Sequence, residues 1–164
     1  MGTRMHIGIV YDSVFGNTGQ IAAAIEAALQ TDHSVRCVKV QDASKLDLGG
    51  LDLLILGSPT RGFTPTPLMQ DYADSLGSAP KSMQVAVFDT RIDLSTVRPA
   101  PLRWVMDAGG YAASRLAGYA RRQGLALRGA PGGFLVTGTN GPLKEGTLEQ
   151  ASRWAKGLLT QPMN

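Results

Sequence analysis

Short apolar runs alternate with amphipathic stretches along the first sixty residues. The run Ile7–Tyr11 is continuously apolar, which is typical of a strand buried on both faces of a sheet. Asn17–Gln30 carries apolar residues at i, i+4, i+7 and i+8, the spacing of one helical face. His33–Val40 favours an edge strand, and Leu51–Leu56 is a second continuously apolar run. This order predicts a βαβ-type start.

The same alternation continues through the second half of the chain. Pro65 and Pro67 favour the start of a helix that runs to Leu76. The later predicted elements are a strand at Gln84–Phe88, a helix at Tyr111–Gln123, a strand at Gly133–Thr137 and a helix at Leu143–Leu159. Five strands alternating with four helices predict an α/β chain, with a parallel sheet covered by helices on both faces.

Length and composition place all of residues 1–164 in one domain. The chain is 43% apolar, enough for a packed core without crosslinks. One cysteine, Cys37, excludes an internal disulfide framework, a multi-thiolate zinc site and an all-cysteine iron–sulfur cluster. With only two histidines as well, we expect no metal site.

The charge pattern narrows the range of partners. Only Arg121 and Arg122 are adjacent among the basic residues, so we expect no nucleic-acid partner. No stretch approaches the ~20 apolar residues of a membrane span. The apolar run after Met1 is too short for a signal peptide, so we expect a cytoplasmic protein without a membrane partner.

The net charge of +3 nevertheless leaves a question open. Residues 57–129 hold nine basic and five acidic side chains. This excess indicates an acidic redox partner, an anionic substrate, or simply a solvated arginine-rich surface.

In such a fold, ligands bind at the carboxyl edge of the sheet. Candidate binding residues are therefore expected in the segments that follow the strands. The first strand is followed by Asp12–Gly19, which joins it to a helix N-terminus and so offers backbone N–H groups to an anion. Ser13, Asn17 and Thr18 could add hydrogen bonds, although no Lys or Arg lies nearby. The glycine patterns of P-loops and dinucleotide-binding folds are absent. The alternative is an ordinary helix start capped by Asn17 or Ser13.

The segment after the third strand, 57–67, is the second candidate loop. Three prolines, among them Pro59, stiffen it, and two glycines let a ligand approach the backbone. Phe63 could lie against a flat ring, or else pack into the core. The third candidate is Thr90–Gly110, a stretch of about twenty residues that breaks the alternation, as functional loops often do.

Two segments resemble the flavin-binding loops of flavodoxins. Residues 9–22 read IVYDSVFGNTGQIA and resemble the FMN phosphate loop, while 51–62 read LDLLILGSPTRG and resemble the third strand and second loop. The order of elements agrees over nearly the whole chain, through GFLVTGTNGPLKEGTLEQASRWA near the end. The resemblance implies a flavodoxin-like three-layer sandwich of the short-chain type, with a five-stranded parallel sheet in the order 2-1-3-4-5.

The resemblance also implies roles for individual residues toward an FMN cofactor. Ser13 and Thr18 would give hydroxyl contacts to its phosphate, and Asn17 a backbone N–H. The other expected contacts are backbone N–H groups from Val14, Phe15 and Gly16; ring-bordering groups from Pro59, Thr60, Arg61, Gly62 and Phe63; and the start of a third loop at Asp89, Thr90 and Arg91.

Three positions depart from the flavodoxin pattern. Phe15 stands where many flavodoxins have a second hydroxyl residue, and quinone reductases of similar fold tolerate an aromatic there. Arg61 stands where a tryptophan is common, and no tyrosine occurs between Asp89 and Pro101. An arginine bordering the ring would favour the reduced, anionic flavin and raise its potential.

The sequence therefore predicts an FMN-binding protein that passes electrons to a redox partner protein or a small-molecule acceptor. The first alternative is an FMN-dependent NAD(P)H- or quinone-type reductase, which the Phe15 and Arg61 positions favour. The second is a module that has kept the fold but lost FMN, which the missing aromatic residues favour. The oligomeric state does not follow from the sequence.

Overall fold

A computed structural model describes residues 3–61, 63–96 and 111–160. Its parallel sheet contains six strand segments in chain order. They are β1 (His6–Tyr11), β2 (Ser34–Lys39), β3 (Leu53–Pro59), β4 (Gln84–Ile92), β5 (Ala126–Leu127) and β6 (Gly132–Val136). The helices are α1 (Asn17–Leu29), α2 (Pro67–Asp74), α3 (Ala112–Arg122) and α4 (Thr147–Thr160). Among the residues so described, no helix has the length and apolar character needed to cross a membrane.

The strands run in the order β2-β1-β3-β4-β5, with β6 also paired to β4. This confirms the predicted parallel sheet and its 2-1-3-4-5 order. Leu53 of β3 pairs with both Ile7 of β1 and Gln84 of β4, so these three strands begin at nearly the same level. Their carboxyl ends therefore meet at one edge of the sheet.

Two apolar layers cover the sheet because successive strand residues point to opposite faces. On one face, Leu54 and Leu56 of β3 pack with the buried sides of α2 and α3. On the other face, Leu53 and Ile55 pack with α1 and α4. All four of these β3 side chains are fully buried, which explains the uninterrupted apolar run in the sequence.

The fifth strand position differs from the single strand expected at Gly133–Thr137. It consists of β5 beside Gln84 and Val85, and β6 beside 88–92. Between them the chain leaves the ladder, where the Ala130 carbonyl accepts a hydrogen bond from the Trp154 indole and Pro131 offers no N–H donor.

β4 is longer than the apolar run Gln84–Phe88 indicates, because pairing with β6 continues it to Ile92. Asp89, Thr90 and Arg91 consequently lie within the strand, and the expectation that they begin a loop is wrong. Most of the long third loop, from residue 97 to residue 110, lies outside the described residues.

Candidate functional site

A cleft of about 350 Å³ opens at the carboxyl edge of the sheet. Such a volume lies in the range of ~300–1,000 Å³ found for small-molecule sites. Its walls come from the segments after β1 and β3, the end of β4, the start of α3 and the segment after β6. The lining residues are Val14, Phe15, Asn17, Thr18, Pro59, Thr60, Arg61, Phe63, Thr90, Arg91, Ile92, Tyr111, Val136, Gly138 and Thr139.

The loop between β1 and α1 is held closed by the Ser13 hydroxyl. Ser13 Oγ accepts hydrogen bonds from the backbone N–H groups of Gly16, at 3.1 Å, and Gly19, at 3.3 Å. Gly16 is the N-cap of α1 and has a φ of 89°, a left-handed conformation that favours glycine. The N-cap residue is therefore Gly16 and not Asn17 or Ser13, although the Ser13 hydroxyl accepts from the Gly19 N–H in the first turn of α1. Ser13 organises the loop, and within the described ranges its own hydroxyl proton has no acceptor.

Four backbone N–H groups of this loop have no hydrogen-bond acceptor among the described residues. They belong to Val14, Phe15, Asn17 and Thr18. The first turn of α1 carries no acidic side chain that would repel an anion. The carboxylate of Asp12, the first residue of the loop, accepts from the Ser13 N–H and the Thr66 hydroxyl, and Asp12 does not line the cleft. The loop thus has the geometry of an anion cradle, although it supplies no cation of its own.

Two polar side chains of α1 tie this cradle to neighbouring strands. The hydroxyls of Thr18 and Thr90 are 2.8 Å apart and both residues are buried. The Asn17 amide donates to the Asn140 carbonyl at 3.2 Å. Since Thr90 belongs to β4 and Asn140 follows β6, the two contacts fix the helix start against both.

The segment after β3 forms a tight turn at the mouth of the cleft. The backbones of Arg61 and Thr64 exchange two hydrogen bonds, of 2.8 and 3.1 Å. Between them Phe63 has a φ of 69°, an uncommon conformation for an aromatic residue, and its carbonyl accepts from Arg115 Nε at 2.7 Å. Phe63 is half-buried and lines the cleft. Gly62 lies outside the described residues.

Arg61 reaches across the mouth toward the first loop. Its guanidinium carbon lies 5.6 Å from the centre of the Phe15 ring. Arg61 is exposed and Phe15 is 46% exposed, so this contact joins the two loops at the surface of the cleft.

The end of β4 contributes an ion pair between Asp89 and Arg91 to the wall of the cleft. Arg91 Nε and Nη2 donate to the two carboxylate oxygens of Asp89, at 2.7 and 2.8 Å. Asp89 is fully buried and also accepts from the Ala113 N–H at 2.9 Å. Burial raises the pKa of Asp89 above its ordinary value, although Arg91 and the Ala113 N–H oppose this shift. The Arg91 guanidinium lies 3.8 Å from the centre of the Tyr111 ring.

Most of the residues singled out from the sequence come together at this cleft. Ten of them line it; Ser13 and Gly16 shape the loop, and Asp89 lies behind Arg91. Tyr111 could not be recognised from the sequence, because it reads there only as the first residue of a predicted helix. The sequence reasoning also missed Ile92, Val136, Gly138 and Thr139, although the rule that ligands bind where parallel strands end would have found them.

The comparisons with known proteins agree with this architecture. No protein-family model and no curated protein matches the chain. A flavodoxin from the domain Archaea superposes with a TM-score of 0.74 and 20% identity, over 94% of this chain and 96% of that one. Flavodoxin 1 from Bacillus cereus gives 0.72 and 17%, over 96% and 99%. The Flv1 flavodiiron core from Synechocystis gives 0.70 and 19%, over 94% of this chain and 35% of that one. The chain therefore has the flavodoxin-like fold.

Proposed function

We propose that this chain binds FMN and passes electrons between redox partners. The observation that carries the proposal is the loop after β1. Its backbone N–H groups at Val14, Phe15, Asn17 and Thr18 lie beside the cleft and have no acceptor among the residues that the structure describes. Unpaired donors at a helix N-terminus match a phosphate, which needs several hydrogen bonds and a favourable dipole. The similarity in fold to flavodoxins supports the same assignment.

The rest of the cleft fits a flat, partly apolar ring. Phe63, Tyr111, Pro59 and Ile92 all line it. Tyr111 supports this assignment, because it brings an aromatic ring to the cleft although no tyrosine occurs between Asp89 and Pro101. Bound FMN would supply the electron-transfer chemistry, and the chain would hold the phosphate, orient the ring and exclude water.

Neither alternative function gains support from the comparisons. The fold neighbours described above are flavodoxins and a flavodiiron core, and so do not favour a dedicated reductase. A module without FMN is harder to reconcile with the open anion cradle. Turnover of NAD(P)H with a quinone would favour the reductase, and failure to bind FMN would favour the module.

The experiment compares FMN with riboflavin, which lacks the phosphate. We expect flavin-free protein to bind FMN at least about tenfold more tightly than riboflavin, since a charge-assisted hydrogen bond contributes roughly 1.5–3 kcal/mol. Asn17→Asp places a carboxylate at the cradle, and should weaken FMN binding about tenfold or more while changing riboflavin binding little.

Gln20→Glu is the matched control, because it adds the same charge to an exposed position of α1 that does not line the cleft. Its effect on FMN should be much smaller than that of Asn17→Asp. Equal affinities of the wild type for FMN and riboflavin would contradict a phosphate site at this loop.

A further inference from the structure

Arg91 is held more rigidly than an ordinary surface arginine. Two of its nitrogens are bonded to the Asp89 carboxylate, and Tyr111 lies against its guanidinium. Gly133 makes room for it, since a Cβ atom there would lie 2.5 Å from the Arg91 guanidinium carbon. A planar cation fixed in this way loses little entropy when it binds a further group.

The Asp89–Arg91 pair presents its positive end to the cleft. Asp89 is fully buried and does not line the cleft, whereas the Arg91 side chain lines it and is 23% exposed. The third guanidinium nitrogen, Nη1, has no hydrogen-bond partner in the part of the chain that the structure describes. The neutral pair is therefore a fixed dipole whose positive residue, Arg91, lines the cleft.

This orientation has a consequence for a ligand whose charge changes. Two-electron reduction of FMN with uptake of one proton leaves one negative charge on a ring system that was neutral. A cation beside the ring attracts the reduced form and does little for the oxidised form, so it makes the protein bind reduced FMN relatively more tightly.

We propose that Arg91, oriented by Asp89 and Tyr111, sets the preference of this cleft for reduced over oxidised FMN. The inference deepens the proposed function and rests on it. It assigns the role to Arg91 rather than to Arg61, because Arg61 is exposed at the mouth and its charge is more strongly screened by solvent.

The decisive variant is the double change Asp89→Asn with Arg91→Gln. It removes the dipole without changing the net charge, and it avoids the unpaired buried carboxylate that Arg91→Gln alone would leave. Asp89→Asn alone removes only the negative end. Its matched control is Asp71→Asn, the same charge change at an exposed position of α2 outside the cleft lining.

The measured quantity is the ratio of the dissociation constants of reduced and oxidised FMN. It follows from the midpoint potential of the full-length, FMN-loaded protein relative to free FMN. Dithionite, which is itself oxidised to sulfite, supplies the electrons, and a reference dye reports the potential. Circular dichroism and the affinity for oxidised FMN show that each variant folds and still binds.

In the double variant we expect the ratio to rise about tenfold, which is a fall in potential of about 30 mV for a two-electron couple. Asp89→Asn should lower the ratio below that of the wild type, and Asp71→Asn should leave it unchanged. An unchanged ratio in a folded, FMN-binding double variant would overturn the role of Arg91 and leave the proposed function intact. If the wild type binds no FMN at all, the proposed function fails and this inference fails with it.

Discussion

At the scale of single residues, two glycines of this chain differ in the space available for a side chain. A Cβ atom on Gly57 of β3 would lie 2.1 Å from Phe88, whose ring is fully buried. Phe88 cannot move aside, because it packs against Phe134 and Trp154 with ring centres 6.0 Å from each. For Gly118 of α3, no described residue has an atom within 4 Å of the Cβ position, apart from its chain neighbours and its own helix backbone.

This contrast gives a matched pair of variants. Gly57→Ala should destabilise the protein by about 1–3 kcal/mol or more, because overpacking forces side chains or backbone to shift. Gly118→Ala should stabilise it by roughly 0.5–1 kcal/mol, since alanine is the better helix former and meets no obstacle. Urea unfolding followed by circular dichroism measures both changes. A Gly57→Ala protein as stable as the wild type would show that the Phe88 ring adapts.

At the scale of elements, one ion pair joins the segment after β4 to the segment before α4. Asp93 Oδ2 lies 2.9 Å from Lys144 Nζ, and Oδ1 accepts from the N–H and hydroxyl of Ser95. The hydrogen bond from Lys144, followed by those from Ser95, lowers the pKa of Asp93 to about 2. The folded protein consequently binds this proton more weakly than the unfolded chain does.

The sign of the pH dependence follows from this lowered pKa. Asp93 stabilises the fold above the unfolded pKa of about 3.9, and its contribution is lost as the pH falls from about 4 toward 2. Asp93→Asn should be less stable at pH 7 and lose less stability between pH 4 and pH 2, as measured by urea unfolding. Asp42→Asn is the control, because the Asp42–Lys45 pair is largely exposed and should contribute little. If the stability of Asp93→Asn fell as steeply between pH 4 and pH 2 as that of the wild type, this account would be contradicted.

The elements also show how far the sequence could predict the structure. The two apolar layers follow from continuous apolar runs such as 53–56, which favour strands buried on both faces. The strand order could be predicted only from the resemblance to flavodoxins. The extension of β4 to Ile92 could not be predicted, because Asp89 and Arg91 are charged residues whose burial depends on each other. Tyr111 likewise reaches the cleft only through the packing of α3.

At the scale of the whole molecule, much of the described positive charge lies far from the cleft. Lys81 precedes β4 and donates to the carbonyls of Gly77 and Gln123, and Arg128 holds Gln84 at the first residue of β4. Arg121 and Arg122 end α3 on the same side. These four belong to the amino edge of the sheet, whereas the cleft opens at the carboxyl edge. For them, a solvated or structural role fits better than steering of a ligand.

A variant with both Arg121→Gln and Arg122→Gln tests this separation of charge. Because these side chains are exposed and distant from the cleft, their loss should change FMN affinity by less than about twofold at 0.15 M salt. Isothermal titration at two salt concentrations would measure the affinity and its salt dependence. A tenfold loss of affinity would instead show that the basic surface attracts the cofactor from long range.

The start of α3 is bonded to the residues around the cleft. Its first two N–H groups donate to the Thr60 hydroxyl, from Ala112, and to the Asp89 carboxylate, from Ala113. Thr60 lines the cleft and Asp89 orients Arg91. A ligand that orders these two side chains therefore also stabilises the first turn of the helix, and thermodynamic linkage makes the effect reciprocal. The coupling free energy is the same in both directions. A change that unfolds this first turn therefore weakens ligand binding by as much as ligand binding stabilises the turn.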